Sequence, residues 1–259
     1  MDERLETNRR RWDEMARLHG AKRAATGEAS YALRSFEHEE LGDLTGLRVC
    51  HLQCHIGTDS IGLAQMGATV VGVDFSDVAV ETARRLAAEY CVADRCHFVL
   101  SSVDDVAAVL GSTFDVVYTS GGVLVWLPDL AVWAAAVKEL LAPGGFLYLA
   151  ESHPYAEALR WPEWHYGGSR AHFDDAQGDY TDEAAVFEHP QSWEWSHGLG
   201  EVVTALAEAG LHIEFLHEHP TVAWHLNDAQ NLSRRPDGMW EAPRSTLPLS
   251  YSLRARRLA

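Results

Sequence analysis

Apolar positions in this chain recur every second residue in short runs and every third or fourth residue in longer ones, and the two kinds of run take turns. Strands are predicted at Arg48–Leu52 (RVCHL), Thr69–Asp74 (TVVGVD), Cys96–Leu100 (CHFVL), Phe114–Thr119 (FDVVYT) and Gly145–Glu151 (GFLYLAE). Between them, helices are predicted over Asp59–Met66, Ser76–Tyr90, Asp104–Leu110 and Leu130–Leu141. Alternation at this pitch argues for an α/β fold with a parallel sheet covered by helices on both faces. A last helix over Gly198–Gly210 and two strands, Leu211–His219 and Leu247–Arg257, complete the pattern. With no helix between them, those two strands point to an antiparallel pair at the sheet edge.

The boundaries carry their own chemistry. Thr58 or Asp59 can cap the first of these helices and Gly67 can end it. Ser76 can cap the second, with Asp77 placed favourably in its first turn, and the turn Pro143–Gly145 stops the helix ahead of GFLYLAE. Ahead of the first strand, residues 1–46 read as a helical cap in which Trp12, Met15, Ala16 and His19 share one face and Gly20 is the expected stop. Beyond Pro154 the periodicity gives way to a polar, aromatic stretch too long for a simple connection. The expected organisation is therefore a cap at 1–46, a cofactor-binding core at 47–154, an insertion or lid over a substrate site at 155–195, and a closing helix and strand pair at 196–259.

Composition narrows the function. A chain of 259 residues, 47% hydrophobic, can bury a sizeable core. Lys and Arg total 21 against 38 Asp and Glu, and the net charge of −17 would repel a phosphate backbone, which argues against nucleic acid as partner. No apolar run approaches a membrane span, and the charged opening residues MDERLETNRRRWDEMARLHG lack a signal-peptide core, so a soluble, cytoplasmic protein is expected. Cys50, Cys54, Cys91 and Cys96 form no C-x-x-C pair and read as free thiols of a reducing compartment. Cys50, Cys54 and His55 would not converge on one zinc ion from an extended segment, and His217 and His219 share a strand face without an evident third ligand, so no metal is expected.

In an open parallel sheet, ligands bind beyond the carboxyl ends of the strands, beside the point where strand order reverses. Residues 53 to 58 follow the first strand there, and a helix starting at Thr58 or Asp59 offers free N–H groups and the positive end of its dipole. Gly57 allows close approach. Asp74 ends the second strand, where a carboxylate can accept hydrogen bonds from both hydroxyls of a ribose. Dinucleotides and S-adenosylmethionine both use this geometry. A dinucleotide wants G-x-G-x-x-G so that its pyrophosphate can nearly touch the backbone, whereas QCHIGT offers one glycine, which tilts the choice towards S-adenosylmethionine.

The runs VCHLQCHIGTDSIGLAQMGATVVGVDFSDVAVETAR and FDVVYTSGGVLVWLPDLAVWAAAVKELLAPGGFLYLAESHP resemble the class I S-adenosylmethionine-dependent methyltransferases. They are most similar to a subgroup with a Leu-Gln-Cys-His-aromatic-Gly first motif, and the similarity spans roughly residues 45 to 154. It implies a Rossmann-like, mostly parallel seven-stranded sheet with an antiparallel last strand. It also implies methyl transfer from S-adenosylmethionine, with Gln53, Cys54, His55 and Gly57 around the methionyl part and Asp74 on the ribose. Phe75 then lies against adenine, and Ser120 and Gly121 lie under the sulfonium. Ser102 stands where the family carries an acid near the adenine amino group, leaving Val103 or Asp104 to supply that contact. His51 stands where an acid often orders the loop.

Methyl transfer is an in-line displacement, so alignment and exclusion of water do most of the work. If the acceptor is a hydroxyl or protonated amine, a base near the methyl helps, and histidine is matched to neutral pH. His153, at the end of the fifth strand, is either that base or a side chain that hydrogen-bonds the turn ahead of Pro154. Glu151 would bind substrate or orient that histidine. Trp126, Trp161, Trp164, His165 and Tyr166 offer aromatic walls for a flat small-molecule acceptor, or else ordinary packing for a lid. Trp12 and Tyr31 either close over the methionyl end or, in the case of Trp12, anchor the cap. Two other readings stay open: a dinucleotide-dependent oxidoreductase, and a methyltransferase-like scaffold that no longer binds cofactor.

Overall fold

The computed structural model describes residues 2–26, 33–160, 164–223, 232–242 and 247–259. Its centre is a seven-stranded sheet in the order β3-β2-β1-β4-β5-β12-β8. The strands are β1 Arg48–Leu52, β2 Thr69–Asp74, β3 Cys96–Leu100, β4 Phe114–Ser120, β5 Leu141–Ser152, β8 His212–His219 and β12 Ser250–Arg256. The first five pair in parallel, and β12 runs antiparallel to both β5 and β8. The Rossmann-like expectation is met, with one refinement: the strand nearest the C-terminus is lodged inside the sheet, and β8 forms the edge.

Period-two alternation sends side chains to two separate cores. Val49, Val116, Tyr118, Phe146, Tyr148 and Ala150 join one, while Cys50, Leu52, Val117, Leu147 and Leu149 join the other. On the first face lie α1 Glu3–Thr26, α2 Ser35–Leu41, α3 Thr58–Gln65 and α4 Asp77–Glu89. On the second lie α5 Val106–Leu110, α6 Leu130–Leu140 and α8 Leu199–Glu208. Cys50 and Cys54 fall in opposite cores. Tyr118 and Tyr148 donate their hydroxyl protons to Glu37 and Glu40 at 2.8 and 2.7 Å, which ties α2 to the sheet. Among the described residues, no helix is long and apolar enough to cross a membrane.

Several local expectations are met, and several are corrected. Ser76 caps α4 by accepting the N–H of Ala79 at 3.0 Å. Gly67 follows α3 at φ 96°, with its N–H on Ala64 O at 3.1 Å. Neither Thr58 nor Asp59 caps α3; Gly57 precedes it in the left-handed conformation. Gly20 does not stop α1, which continues to Thr26. A Cβ at Gly20 would come within 2.9 Å of Thr82 Cγ2, so the glycine lets α1 approach α4 closely. Residues 143–145 do not terminate α6 either. That helix ends at Leu140, and Pro143–Gly145 form an irregularity in β5, whose pairing with β4 shifts register between Phe114 and Val116.

Between β5 and α8 the chain forms α7 Pro154–Arg160 and an antiparallel pair, β6 Arg170–Asp174 with β7 Ser192–Ser196. Three two-residue strands, β9 Thr221–Val222, β10 Ser233–Arg234 and β11 Trp240–Glu241, make a small separate sheet. Helix α1 grips the insertion through backbone groups. Asn8 exchanges two hydrogen bonds with the Trp193 peptide groups at 2.8 and 2.7 Å, Arg11 donates to the carbonyls of Ala176, Gly178 and Pro190, and Glu14 accepts the N–H groups of Glu188 and His189. Cap and insertion thus form one roof above the carboxyl ends of the strands.

Candidate active site

Strand order reverses between β1 and β4, and a cavity opens beyond their carboxyl ends. The loop after β1 forms its floor. Gln53 and His55 both adopt the left-handed backbone, at φ 53° and 49°, where a glycine would be free of steric penalty. That conformation costs about 1–2 kcal/mol for a residue with a Cβ, and it persists only when surroundings over-determine it. Here they do. The His55 N–H donates to Asp74 at 2.8 Å, the Cys54 N–H to Val73 O at 2.9 Å, and Gln53 Nε2 to Val123 O at 3.0 Å. Gly57, at φ 76°, faces away from the cavity: a Cβ there would meet the Phe98 ring at 2.6 Å and Ala83 at 2.8 Å.

Asp74 closes β2 and lines the cavity although it is only 6% exposed. One oxygen accepts the His55 N–H and the other accepts the Ser76 N–H at 2.9 Å, so each keeps acceptor capacity for a further donor. Burial pushes its carboxyl up to about 6 against the opposing hydrogen bonds from the Ser76, His55 and Phe75 backbone. Gln53 also lines the cavity, and its Oε1 is buried without a partner. An orphaned acceptor of this kind is a cost that a donor on a ligand would remove.

The roof is fastened to this floor by a chain of side chains. His55 Nε2 and His19 Nδ1 share a hydrogen bond at 2.8 Å, and His19 Nε2 meets Asp179 of the insertion at 2.5 Å. Burial, and then the neighbouring His19, push His55 down to about 3, so its ring is neutral near pH 7. Burial would raise Asp179, but hydrogen bonds from His19 and Thr181 outweigh it and hold the carboxyl at about 2. Trp12 meets both His55 and Trp126 edge-on, at 5.1 Å each. Asp13 accepts the Ser76 hydroxyl at 2.6 Å, so α1 touches both ends of the cleft floor.

Of the residues anticipated for the cofactor, Gln53, Cys54, His55, Asp74, Phe75, Ser102, Val103, Asp104, Ser120, Gly121 and Trp12 all border this one cavity, as does Trp126. Tyr31 and Trp161 lie outside the described residues. Ser102 donates to Asp105 Oδ2 at 2.9 Å and accepts its N–H at 3.3 Å, which leaves Asp104 as the cavity-lining carboxyl of that turn, pushed up by burial and by Asp105 and Asp129. Ser120 donates to Asp59 at 2.8 Å.

The two anticipated catalytic residues are not among those bordering the cavity. His153 accepts the Tyr155 N–H at 3.1 Å and pairs with Glu218 at 3.1 Å, so it serves the turn into α7 and the β8 edge. Glu151 spends its carboxylate on the N–H groups of Val123, Leu124 and Ser152, and burial pushes it up to about 7. Trp164, His165 and Tyr166 sit apart as well: Trp164 and His165 stack on His172 of β6, and Tyr166 is 56% exposed. Strand-end placement alone does not say which side chains turn towards the cleft.

Tyr180, His51 and Asp59 border the cavity without having been anticipated as ligand groups. His51 bonds the Ser60 hydroxyl at 2.8 Å, and burial pushes it down to about 4. The readable signal for His19 was its place one helical face from Trp12; nothing in GDYTD signalled the approach of Asp179 and Tyr180.

Residues 50–147 match a family described as a methyltransferase domain. Over 108 residues the chain is 35% identical to a ubiquinone biosynthesis O-methyltransferase of Xanthomonas oryzae pv. oryzae, covering 42% of this chain and 44% of that one. A protein of the same name from Mesorhizobium japonicum is 30% identical over 136 residues, 52% of this chain and 50% of its own. The chain therefore spans about half the length of the curated relatives it matches. Among solved structures, the glycopeptide N-methyltransferase MtfA complexed with S-adenosyl-L-methionine superposes with TM-score 0.58 at 19% identity, covering 87% of this chain and 94% of that one. An S-adenosylmethionine-dependent methyltransferase from Mesorhizobium loti gives 0.56 at 20% identity, covering 85% and 95%. The resemblance to class I S-adenosylmethionine-dependent methyltransferases is borne out in fold and in the central domain.

Proposed function

We propose that this chain, built on a class I methyltransferase domain, transfers a methyl group from S-adenosylmethionine to an oxygen or nitrogen atom of a small molecule. The observation that carries the reading is the pairing, in one cavity, of a strand-end carboxylate with spare acceptor capacity and a buried amide oxygen without a partner. A ribose diol suits Asp74, and the α-ammonium group of the methionyl tail suits Gln53 Oε1. Phe75 and the turn Ser101–Asp104 border the remaining space, which suits adenine. Similarity of residues 50–147 to a methyltransferase domain supports the same cofactor and weighs against a dinucleotide oxidoreductase.

Bound S-adenosylmethionine supplies an electrophilic methyl on sulfur, and the protein's residues align and enclose it. Gly121 and Gly122, at φ 85° and 77°, let the chain after β4 turn beside the cavity without side chains in the way. Trp12 and Trp126 contribute apolar walls that keep water from the reacting atoms. In this reading, rate enhancement rests on alignment of donor and acceptor. The acceptor is a small, uncharged or cationic molecule, in keeping with the net charge of −17, and the free thiols suit a cytoplasmic setting.

Calorimetric titration with S-adenosylmethionine, S-adenosylhomocysteine and NAD tests the reading. Micromolar binding of the first two and none of NAD is expected; NAD binding alone, or no binding of any, overturns it.

A further inference from the structure

Glu151 is buried at the carboxyl end of β5 and yet takes no part in the cavity's lining. Among the described residues, its hydrogen bonds all go to backbone. Oε2 accepts the N–H groups of Val123 and Leu124 at 2.8 and 3.1 Å, and Oε1 accepts the N–H of Ser152 at 2.7 Å. The segment it grips follows two glycines, Gly121 and Gly122, both in the left-handed conformation, so the backbone leading into it is freer than ordinary chain, while Leu124 itself packs in the core.

The Leu124 N–H and the Val123 carbonyl belong to one planar peptide unit, and they point to opposite sides of it. Glu151 holds the N–H end, and Gln53 Nε2 donates to the carbonyl end at 3.0 Å. A primary amide has one donor side and one acceptor side. Committing its nitrogen to Val123 O leaves Oε1 as the free acceptor of Gln53, and that atom is buried without a partner beside the cavity. A rotated amide would set Oε1 against the Val123 carbonyl, two acceptors face to face. The orientation of the peptide therefore selects the orientation of the amide, and hydrogen bonds in series through one peptide polarise each other in the same sense.

We propose that Glu151 is a positioning residue for the amino-acid tail of the bound methyl donor: by holding the Val123–Leu124 peptide it keeps the Gln53 amide turned so that its carbonyl receives the ammonium group. This rests on the cofactor assignment above. Glu151 touches neither the donor nor the acceptor, and its effect is confined to ligands that carry the tail.

The test compares S-adenosylhomocysteine with 5′-methylthioadenosine, which keeps the adenosine and thioether but lacks the amino acid. Glu151→Gln is expected to weaken S-adenosylhomocysteine by about tenfold and 5′-methylthioadenosine by less than twofold, the scale of one charge-assisted contact. In a Gln53→Ala background, Glu151→Gln is expected to add less than twofold for either ligand, because the route to the tail is already cut. Equal weakening of both ligands, or a full tenfold effect in the Gln53→Ala background, overturns the proposal. Glu151→Asp, which keeps the charge but shortens the reach, gives the same split by the same criteria if the Gln variant does not fold. Failure of the unsubstituted protein to bind either ligand would instead sink the cofactor assignment.

Discussion

Asp74 accepts the backbone N–H of His55 across 2.8 Å, so the carboxylate that closes β2 also clamps the loop that leaves β1. One group thereby shapes the floor of the cleft and offers its remaining lone pairs to a ligand. Asp74→Ala is expected to weaken S-adenosylhomocysteine by about 100-fold or more, the loss of two hydrogen bonds to a charged acceptor at roughly 1.5–3 kcal/mol each. Calorimetry checks this, with a thermal melt alongside because the His55 and Ser76 N–H groups lose their acceptor too.

The same carboxylate sets a pH dependence. Burial raises it to about 6, so it is ionised above that value and protonated below it. The protonated form has fewer acceptor sites for the ribose, and affinity is expected to rise as pH passes upward through 6 and then level off. Titrating 5′-methylthioadenosine at pH 5 and pH 7.5 isolates the effect from the tail, with about tenfold weaker binding expected at the lower pH. A flat profile would count against Asp74 as the ribose acceptor.

His55→Gly would restore a residue at ease in the left-handed conformation, a gain of about 1 kcal/mol, while cutting the His55–His19–Asp179 chain. The melting temperature is expected to change little. Release of the roof should show instead as faster proteolysis within α1 and around residues 178–182. Unchanged cleavage kinetics would mean that Asn8, Arg11 and Glu14 hold the roof without help from the floor.

Gly57→Ala is expected to destabilise the protein by about 2–4 kcal/mol, because the new Cβ must share space with the Phe98 ring and Ala83 at a left-handed backbone. Chemical denaturation measures this directly. A cost below 1 kcal/mol would show that the Phe98 ring moves aside.

His153→Ala is expected to leave the dissociation constant of S-adenosylhomocysteine within about twofold and to cost roughly 1 kcal/mol of stability through the turn into α7. A large loss of cofactor affinity would place the imidazole closer to the cleft than its bonds to Tyr155 and Glu218 indicate.

Much of this was legible in the chain's pattern, for identifiable reasons. Strand residues such as Val49, Cys50 and Leu52 alternate because each face of the sheet buries its own core, and that need writes a period of two into the sequence. Asp74 was legible because chain order places a strand end at the crevice. What resisted reading was orientation and long-range approach. Gly20 looks like a helix stop in one dimension, and only the proximity of Thr82 makes it a packing residue. His153 ends the right strand, but its ring turns towards Glu218 of β8. Glu151 ends the same strand, and its carboxylate is spent on a loop brought near by the turn after β4. Counting glycines undervalued the first loop, since Gln53 and His55 hold the glycine-like conformation through contacts with Val123, Asp74 and His19.

The lodging of β12 between β5 and β8 bears on how the molecule is made. As the chain leaves the ribosome, β1 to β5 can pair as they emerge, but β8 has no neighbour in the main sheet until residues 250–256 arrive. During that interval two strand edges lie open and can recruit a neighbouring nascent chain. Removing residues 250–259 would thus cost the main sheet two strands, and the danger of aggregation peaks just before residues 250–256 emerge.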